Sequence, residues 1–419
     1  MFKRRKMLIC LLIIVLGVSL FGTITAYAEE KKTLTVWIGA WQQEQMNRIV
    51  EGFEYLYDVD VKVEFVPWTG MHDKYLIAIK TGNPPDVMNV AAAWNRPWGD
   101  MGLLLPLDKY IESSDVVNIE DYYPAGIETA STGGHIYGLP FKASTCVLIY
   151  NKKLFEEAGL DPEVPPNTWE DFIEYAKKLT NPKKEQYGYG MVAGAVGNCT
   201  ARLFIWTYSF GGKILNDDYT KALVNEPEFV KAVDTWAKMF YEYKVAPASS
   251  LENTNTEQQN MFANEKVAMI FQAVGSTISN LRENNPSLIK NMGTALTPMG
   301  VTRASEGGGM NIAMPKGAKD PDLSWQFIEW FMEPSNQSQY TVDFPGNMKA
   351  AERYPRFTTT LMKANVEELK YQCNLPPIPQ MEEIRNIIFT QAQYVLLEKK
   401  SAQEAMDDAA AQINRLLNE

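Results

Sequence analysis

Positive charge, histidine and cysteine are all scarce in this chain. Lys and Arg number 40 against 51 Asp and Glu, a formal net charge of −11. Nucleic acid demands a basic surface to meet its phosphates, so that class of partner is excluded. The two histidines, His72 and His135, are too few for a His-rich site and stand outside H-E-x-x-H spacing. Each reads as a surface or hydrogen-bonding residue, and no metal and no cofactor is expected. The cysteines show no C-x-x-C spacing. With Cys10 set aside as part of the leading segment described below, Cys146, Cys199 and Cys373 remain, which permits one disulfide but no disulfide framework. Nucleophile elbows and phosphate loops are missing too. Gly307-Gly308-Gly309 lacks the spacing and the Lys-Ser/Thr ending of a P-loop, and suits a close approach of backbone instead. Acidic pairs such as Glu156-Glu157 and Glu382-Glu383 are ordinary solvated helix features. Carboxylates that flank a glycosidic bond come from distant parts of a chain, so a secreted hydrolase stays open as a rival but has no positive signal. No catalytic residue is expected.

What the chain does have begins at its start. Lys3-Arg4-Arg5-Lys6, an apolar run from Met7 to about Gly22, and Ala26-Tyr27-Ala28 form a positive region, a hydrophobic region and an A-x-A site. That is an export signal over residues 1–28, with the mature chain expected from Glu29. An uncleaved anchor is the rival, disfavoured by the shortness of the run. Cys10 follows Ile9 where a lipid anchor needs a small residue, so no lipidation is expected. Beyond residue 28 no second long apolar run appears. Without the signal, 36 Lys and Arg face 51 Asp and Glu, a net charge of −15. About 390 residues exceed one typical core and suggest two domains.

The mature chain opens as strand, helix, strand, helix, strand. Leu34–Ile38 is β-rich, and Gln42–Tyr57 places Met46, Ile49, Val50, Phe53, Leu56 and Tyr57 on one helix face. Val61–Val66 alternates with period two, Met71–Lys80 is helical, and Thr81–Pro85 breaks into a strand at Asp86–Val90. This alternation predicts an open, parallel α/β sheet, whose ligands sit beyond the carboxyl ends of its strands. Further on, Asn167-Thr168-Trp169-Glu170-Asp171 reads as a helix start. Phe229, Val233, Trp236 and Phe240 form a helical stripe. Lys266–Phe271 and Asn311–Met314 read as strands, and Pro321–Met332 and Ala402–Leu417 as helices. No repeat and no low-complexity linker appears, so the two domains are expected to be joined by several crossings.

Ten tryptophans are the next signal. Trp169, Trp236, Trp325 and Trp330 lie in helix patterns and read as core. Trp37, Trp41, Trp68, Trp94, Trp98 and Trp206 are set apart from them. Trp41, Trp68 and Trp94 follow inferred strands, which puts flat indoles at the sheet rim. An indole face suits the C–H face of a sugar ring, and covering roughly 100 Å² of apolar surface is worth about 2.5 kcal/mol. For Trp37 and Trp98, loop anchoring is the better reading. Trp94 is expected to be a platform that the unliganded fold does not need.

Several segments in order carry a resemblance. After the export signal come Leu34-Thr-Val-Trp-Ile38, Gly82-Asn-Pro-Pro-Asp-Val87, Gly102-Leu-Leu-Leu-Pro-Leu107 and His135-Ile-Tyr-Gly-Leu-Pro140. They are followed by Leu148–Phe155, Asn167–Asp171, Gly211-Gly212, Phe262–Met269, Gly308–Gly317 and Ile378-Pro-Gln-Met381. Together they span nearly the whole mature chain. The sequence resembles the extracellular solute-binding proteins of ABC importers, in the carbohydrate-specific group that includes maltodextrin-binding proteins. The resemblance implies a two-domain periplasmic-binding-protein fold, α/β, with parallel-rich open sheets, flanking helices and an interdomain cleft that closes by a hinge. It places one domain at about 29–143 plus 300–338 and the other at 144–299 plus 339–419.

Motif by motif, the resemblance implies ligand contacts at Ala92, Ala93, Trp94, Asn95, Ser144, Thr145, Asn198, Arg202, Gln272, Val274 and Arg385, and the candidate contacts are completed by Trp41 and Trp68 at the sheet rim, Gln42 beside Trp41, and Gly308 and Gly309 of the glycine run. It departs at Gly275, where the group commonly has a stacking Trp, and at Arg385, where an aromatic is frequent. These departures count against a linear maltodextrin. The implied role is capture of a sugar, most simply an oligosaccharide, for delivery to a membrane permease. The protein would be a monomer, exported to the periplasm or cell surface. A non-sugar solute such as a polyol phosphate or a peptide is the alternative within the class, with Arg202 and Arg385 available to a charged group.

Overall fold

The computed structural model describes residues 31–194, 198–306 and 308–418. The expected export signal, residues 1–28, lies outside them, and among them no helix is long and apolar enough to cross a membrane. Ten strands make two sheets: β1 (Thr33–Gly39), β2 (Asp60–Val66), β3 (Val87–Ala91), β4 (Leu139–Ser144), β5 (Val147–Asn151), β6 (Tyr187–Tyr189), β7 (Val267–Gln272), β8 (Met292–Ala295), β9 (Gly308–Ala313) and β10 (Phe344–Pro345). The larger sheet runs β10-β4-β9-β3-β1-β2 and the smaller β8-β5-β7-β6. Short further pairs join Ser131–Thr132 to His135–Ile136 and Ser305–Glu306 to Gln372–Cys373.

Local chemistry accounts for most of these elements. In β1 the alternating Leu34, Val36 and Ile38 are fully buried, as period-two patterning over a half-covered sheet requires. The helix Gln43–Tyr57 buries Met46, Ile49, Val50 and Phe53 on one face. Thr168 and Asp171 form a reciprocal capping box ahead of the helix Trp169–Leu179, and Ser401 with Glu404 does the same for Ala402–Leu416, each satisfying amides that a helix start leaves bare.

The parallel expectation holds for the N-terminal strands: β1 pairs parallel with β2 and with β3. It does not extend to the rest of the larger sheet. There β9 is antiparallel to both β3 and β4, and β10 antiparallel to β4. The reason is topological. The chain leaves this sheet after β4 and comes back from the other domain to form β9, so the returning strand enters from the opposite end.

Each domain has its own core. Beneath the larger sheet, β1, β3 and β9 pack with Phe53, Trp98, Phe327, Phe331 and Tyr340. The smaller sheet is covered on both faces: Leu148 and Tyr150 of β5 turn to one cluster, Val147 and Ile149 to another. The first cluster centres on Trp169 and Trp206, stacked 3.6 Å apart, with Trp169 Nε1 donating to Ser209 Oγ at 2.7 Å. Such pairs add about 0.5–1.5 kcal/mol beyond the area they bury. Trp206, which the sequence reading set apart from the core tryptophans, is fully buried here. It lies inside the helix Asn198–Ser209, a segment whose helical pattern the sequence reading did not detect. No disulfide joins Cys146, Cys199 and Cys373.

Three crossings connect the domains: β4 to β5, β8 to β9, and the chain beyond β10. Tyr340 is fully buried in the first core and Phe344–Pro345 edges the first sheet. The Phe344 ring packs in the cluster of Val147 and Ile149 on the smaller sheet, so this segment touches both cores. Polar groups pin the crossings to one another. Ser305 Oγ accepts from the Cys146 amide and donates to its carbonyl, both at 3.0 Å. Asn365 Nδ2 donates to the Thr145 carbonyl at 3.0 Å, and its Oδ1 accepts from the Val274 amide at 3.3 Å.

Candidate functional site

Both domains offer the same local construction to the space between them. In the first, β3 ends at Ala91 and the helix Ala92–Asp100 starts at the next residue; in the second, β7 ends at Gln272 and the helix Val274–Asn284 starts two residues on, after Ala273. Strand ends and helix starts thus converge on one cleft, the place where open α/β sheets bind ligands. Ala91, Ala92 and Ala93 keep that end of β3 low, and the cleft they border has a volume of about 340 Å³.

An aromatic wall stands on the first domain. Trp41 folds back over the end of β1, where a Cβ on Gly39 would lie 2.1 Å from its ring. That close approach explains the glycine. Trp41 and Trp68 are half-buried with rings 6.4 Å apart, and both border the cleft. Trp68 stacks on Trp94 at 5.2 Å and Trp94 on Trp98 at 5.7 Å. Trp94 borders the cleft but is only 6% exposed, and its Nε1 donates across to Glu382 Oε1 at 2.9 Å. Trp94 thus borders the cleft, as expected, and also packs into the first core between Trp68 and Trp98.

Polar groups come chiefly from the second domain and the crossings. Arg202 is buried, with Nε donating to the Phe271 carbonyl at 2.7 Å and Nη2 to Gln272 Oε1 at 2.8 Å. Lys142 pairs with Asp343 at 2.6 Å, and Asp343 also accepts from the Ser276 amide at 2.9 Å. Arg385 pairs with Glu382 at 3.4 Å. Ser144, Gly308 and Gly309 supply the floor. A Cβ on Gly309 would lie 2.7 Å from the Lys142 carbonyl, so the glycine lets β9 and β4 approach closely. The floor thus offers hydroxyl, amide and cationic donors beside an apolar wall, which suits a solute rich in oxygen acceptors.

Of the residues expected from sequence, Trp41, Trp68, Ala92, Ala93, Trp94, Ser144, Arg202, Gln272, Gly308, Gly309 and Arg385 border this one cleft. The rest do not. Asn95 is fully buried and accepts from Asn311 Nδ2 at 3.1 Å. It follows the cleft residues on a helix whose next face turns inward. Thr145 in the first crossing and Val274 at the start of its helix are both buried and tied up by Asn365. Gln42 takes a left-handed backbone conformation ahead of its helix, outside the cleft lining. Asn198 begins a helix, and its side chain is outside what is described. Sequence reading missed Lys142, Asp343, Asn255, Gln259 and Ser276. Lys142 and Asp343 meet only because two crossings run side by side, and no local pattern announces that.

Gly275, where the resemblance would place a Trp, has a physical reason. A Cβ there would lie 1.9 Å from the Val342 carbonyl oxygen. The backbone of a crossing occupies the space, so no side chain fits at all. Among the described residues no group of three or more His, Cys, Asp or Glu is placed to hold a metal ion.

Comparison with known proteins agrees with this architecture. The profile of bacterial extracellular solute-binding proteins matches residues 39–338. The chain is 28% identical over 369 residues to the sn-glycerol-3-phosphate-binding periplasmic protein UgpB of Escherichia coli (strain UTI89 / UPEC), covering 82% of each chain. It superposes with a TM-score of 0.86 and 28% identity on an ABC transporter solute-binding protein from Thermotoga lettingae TMO bound with alpha-D-tagatose, covering 92% of this chain and 100% of that one. A solute-binding protein from Agrobacterium vitis S4, solved with D-mannitol, shares the fold at 22% identity and a TM-score of 0.79, over 92% of this chain and 98% of that one.

Proposed function

Because the chain belongs to the bacterial extracellular solute-binding proteins, we propose that it captures a hydroxylated solute, a sugar or a polyol, and hands it to the permease of an ABC importer. The observation that carries this reading is a single cleft with an indole wall, Trp41 and Trp68, facing a floor of polar donors. Apolar C–H faces take the wall and hydroxyls take the donors. Support comes from the tagatose bound by the Thermotoga lettingae protein. The sixteen positions expected from sequence are the candidate contacts, with the eleven at the cleft leading.

In this reading the protein makes and breaks no bond. It works as a monomer exported to the periplasm or cell surface, with its domains divided at the three crossings. A thermal-shift screen against monosaccharides, polyols and oligosaccharides tests it. A ligand at 100 times its Kd adds about 2.7 kcal/mol of stability, and the bound sugar should be recovered intact. Cleavage of the sugar on incubation would replace capture with hydrolysis. A flat screen across all three classes would remove the reading.

A further inference from the structure

The cleft holds a positive charge that the described residues do not offset. Lys142 has Asp343 and Arg385 has Glu382. Arg202 is 4% exposed, and its partners are neutral oxygens: the Phe271 carbonyl, Gln272 Oε1, and Asn255 Oδ1 at 3.4 Å. No ion pair reaches it among the described residues. A buried charge normally has a counter-charge, because leaving water without one is costly. Its Nη1 makes no hydrogen bond to a described residue.

Beside it, Gln272 is 5% exposed and uses Oε1 for Arg202 and for the Ala273 amide at 3.1 Å, while its Nε2 is buried without a partner. Buried polar groups are ordinarily satisfied, so an orphan donor calls for an explanation. Arg202 and Gln272 border the same cavity as Trp41 and Trp68. One interlocked pair thus leaves two unused donors there, one of them charged, in a chain that is otherwise strongly acidic.

We propose that the captured solute carries an anionic group, a carboxylate or a phosphate on a hydroxylated carbon skeleton. Its oxygens accept from Arg202 Nη1 and Gln272 Nε2, while its apolar face meets Trp41 and Trp68. A charge-assisted bond to a guanidinium is among the stronger polar contacts available, and the solute supplies the counter-charge that the cleft lacks. This inference rests on the solute-capture reading above and narrows its substrate class.

Titration calorimetry on the mature chain with matched pairs decides it: glucose against glucuronate and glucose 6-phosphate, glycerol against sn-glycerol 3-phosphate, and maltotriose against trigalacturonate. The acidic member of at least one set should bind tenfold or more tighter than its neutral partner, and more weakly in 500 mM than in 50 mM NaCl. The set that responds tells carboxylate from phosphate. Arg202→Gln should erase the gap and Arg202→Lys should keep part of it. Arg96→Gln, at a guanidinium outside this cavity's lining, should leave the gap alone. If Arg202→Gln does not fold, the wild-type pairs and their salt dependence still decide. Neutral members binding as tightly as acidic ones would overturn the anionic proposal and leave solute capture standing. Binding by no member would overturn both.

Discussion

Trp68 and Trp94 touch, yet different forces govern them. Trp94 is 6% exposed, stacked on two neighbours and hydrogen-bonded to Glu382. Its removal leaves a cavity, and Trp94→Ala should cost the ligand-free protein about 3–5 kcal/mol, read from denaturant midpoints. Trp68 is half-buried and faces the cleft. Trp68→Ala should weaken solute binding by about 2 kcal/mol, roughly thirtyfold, with little change in ligand-free melting. The reverse pattern would exchange their roles. Glu368 is a second residue whose chemistry is set by burial. It is fully buried, desolvation outweighs the hydrogen bonds from Thr297, and its pKa is pushed up to about 7. Thr297 Oγ1 lies 2.6 Å from Glu368 Oε1 and 3.0 Å from the Ala304 carbonyl. One hydroxyl proton cannot serve both acceptors. A protonated Glu368 resolves the count by donating to Oγ1, which then donates to Ala304. The folded state accordingly binds the extra proton between the ordinary carboxyl value of 4.5 and about 7. Stability should fall as pH rises through that window, by about 3 kcal/mol in all. Glu368→Gln mimics the protonated form, so its melting temperature should vary less between pH 5 and 8 than that of the wild type. Identical slopes would mean that Glu368 is ionised throughout.

Elements separate what was legible in the sequence from what was not. The helix Pro321–Met332 and the start at Thr168 were readable because a proline, a cap and a 3.6-residue stripe are local signals. The first three strands were readable for the same reason. The direction of β9 and β10 was not, since it depends on how many times the chain crosses between domains. At the site, the small residues after β3 and the strand end at Gln272 were legible as positions. Whether a given side chain there faces the cleft or a crossing was not: Asn95, Thr145 and Val274 are neighbours in sequence of true cleft residues, yet are claimed by Asn311 and Asn365. Gly275 shows the same limit from the other side. Its bareness read as a lost stacking residue, whereas the space belongs to the backbone of Val342. Backbone cannot swing aside as a side-chain tip can. Gly275→Ala should therefore destabilise by about 1–3 kcal/mol, seen as a lower urea midpoint. An unchanged midpoint would show that the crossing yields easily.

For the molecule as a whole, the question is what holds two domains together before a solute arrives. The bond from Trp94 Nε1 to Glu382 Oε1 spans them, joining the helix after β3 to the helix Met381–Leu396. A hydrogen bond to a charged group contributes about 1.5–3 kcal/mol. A term of that size biases an open–closed equilibrium by roughly ten- to a hundredfold. It is small enough for a solute that touches both domains to dominate it. Solute should therefore compact the wild-type protein only modestly in small-angle scattering. Glu382→Ala removes the acceptor and should raise the ligand-free radius while leaving the liganded radius unchanged. Its affinity should drop by no more than the bias lost, because the solute must then supply all of the closure. Glu382→Gln separates this from the ion pair with Arg385. It keeps an oxygen for Trp94 but not the charge, so its ligand-free radius should stay nearer to the wild type than that of the alanine variant. If both variants expand alike, the ion pair rather than the indole holds the domains. If neither expands, the crossings alone set the angle between the domains and the Trp94 contact is a consequence of closure.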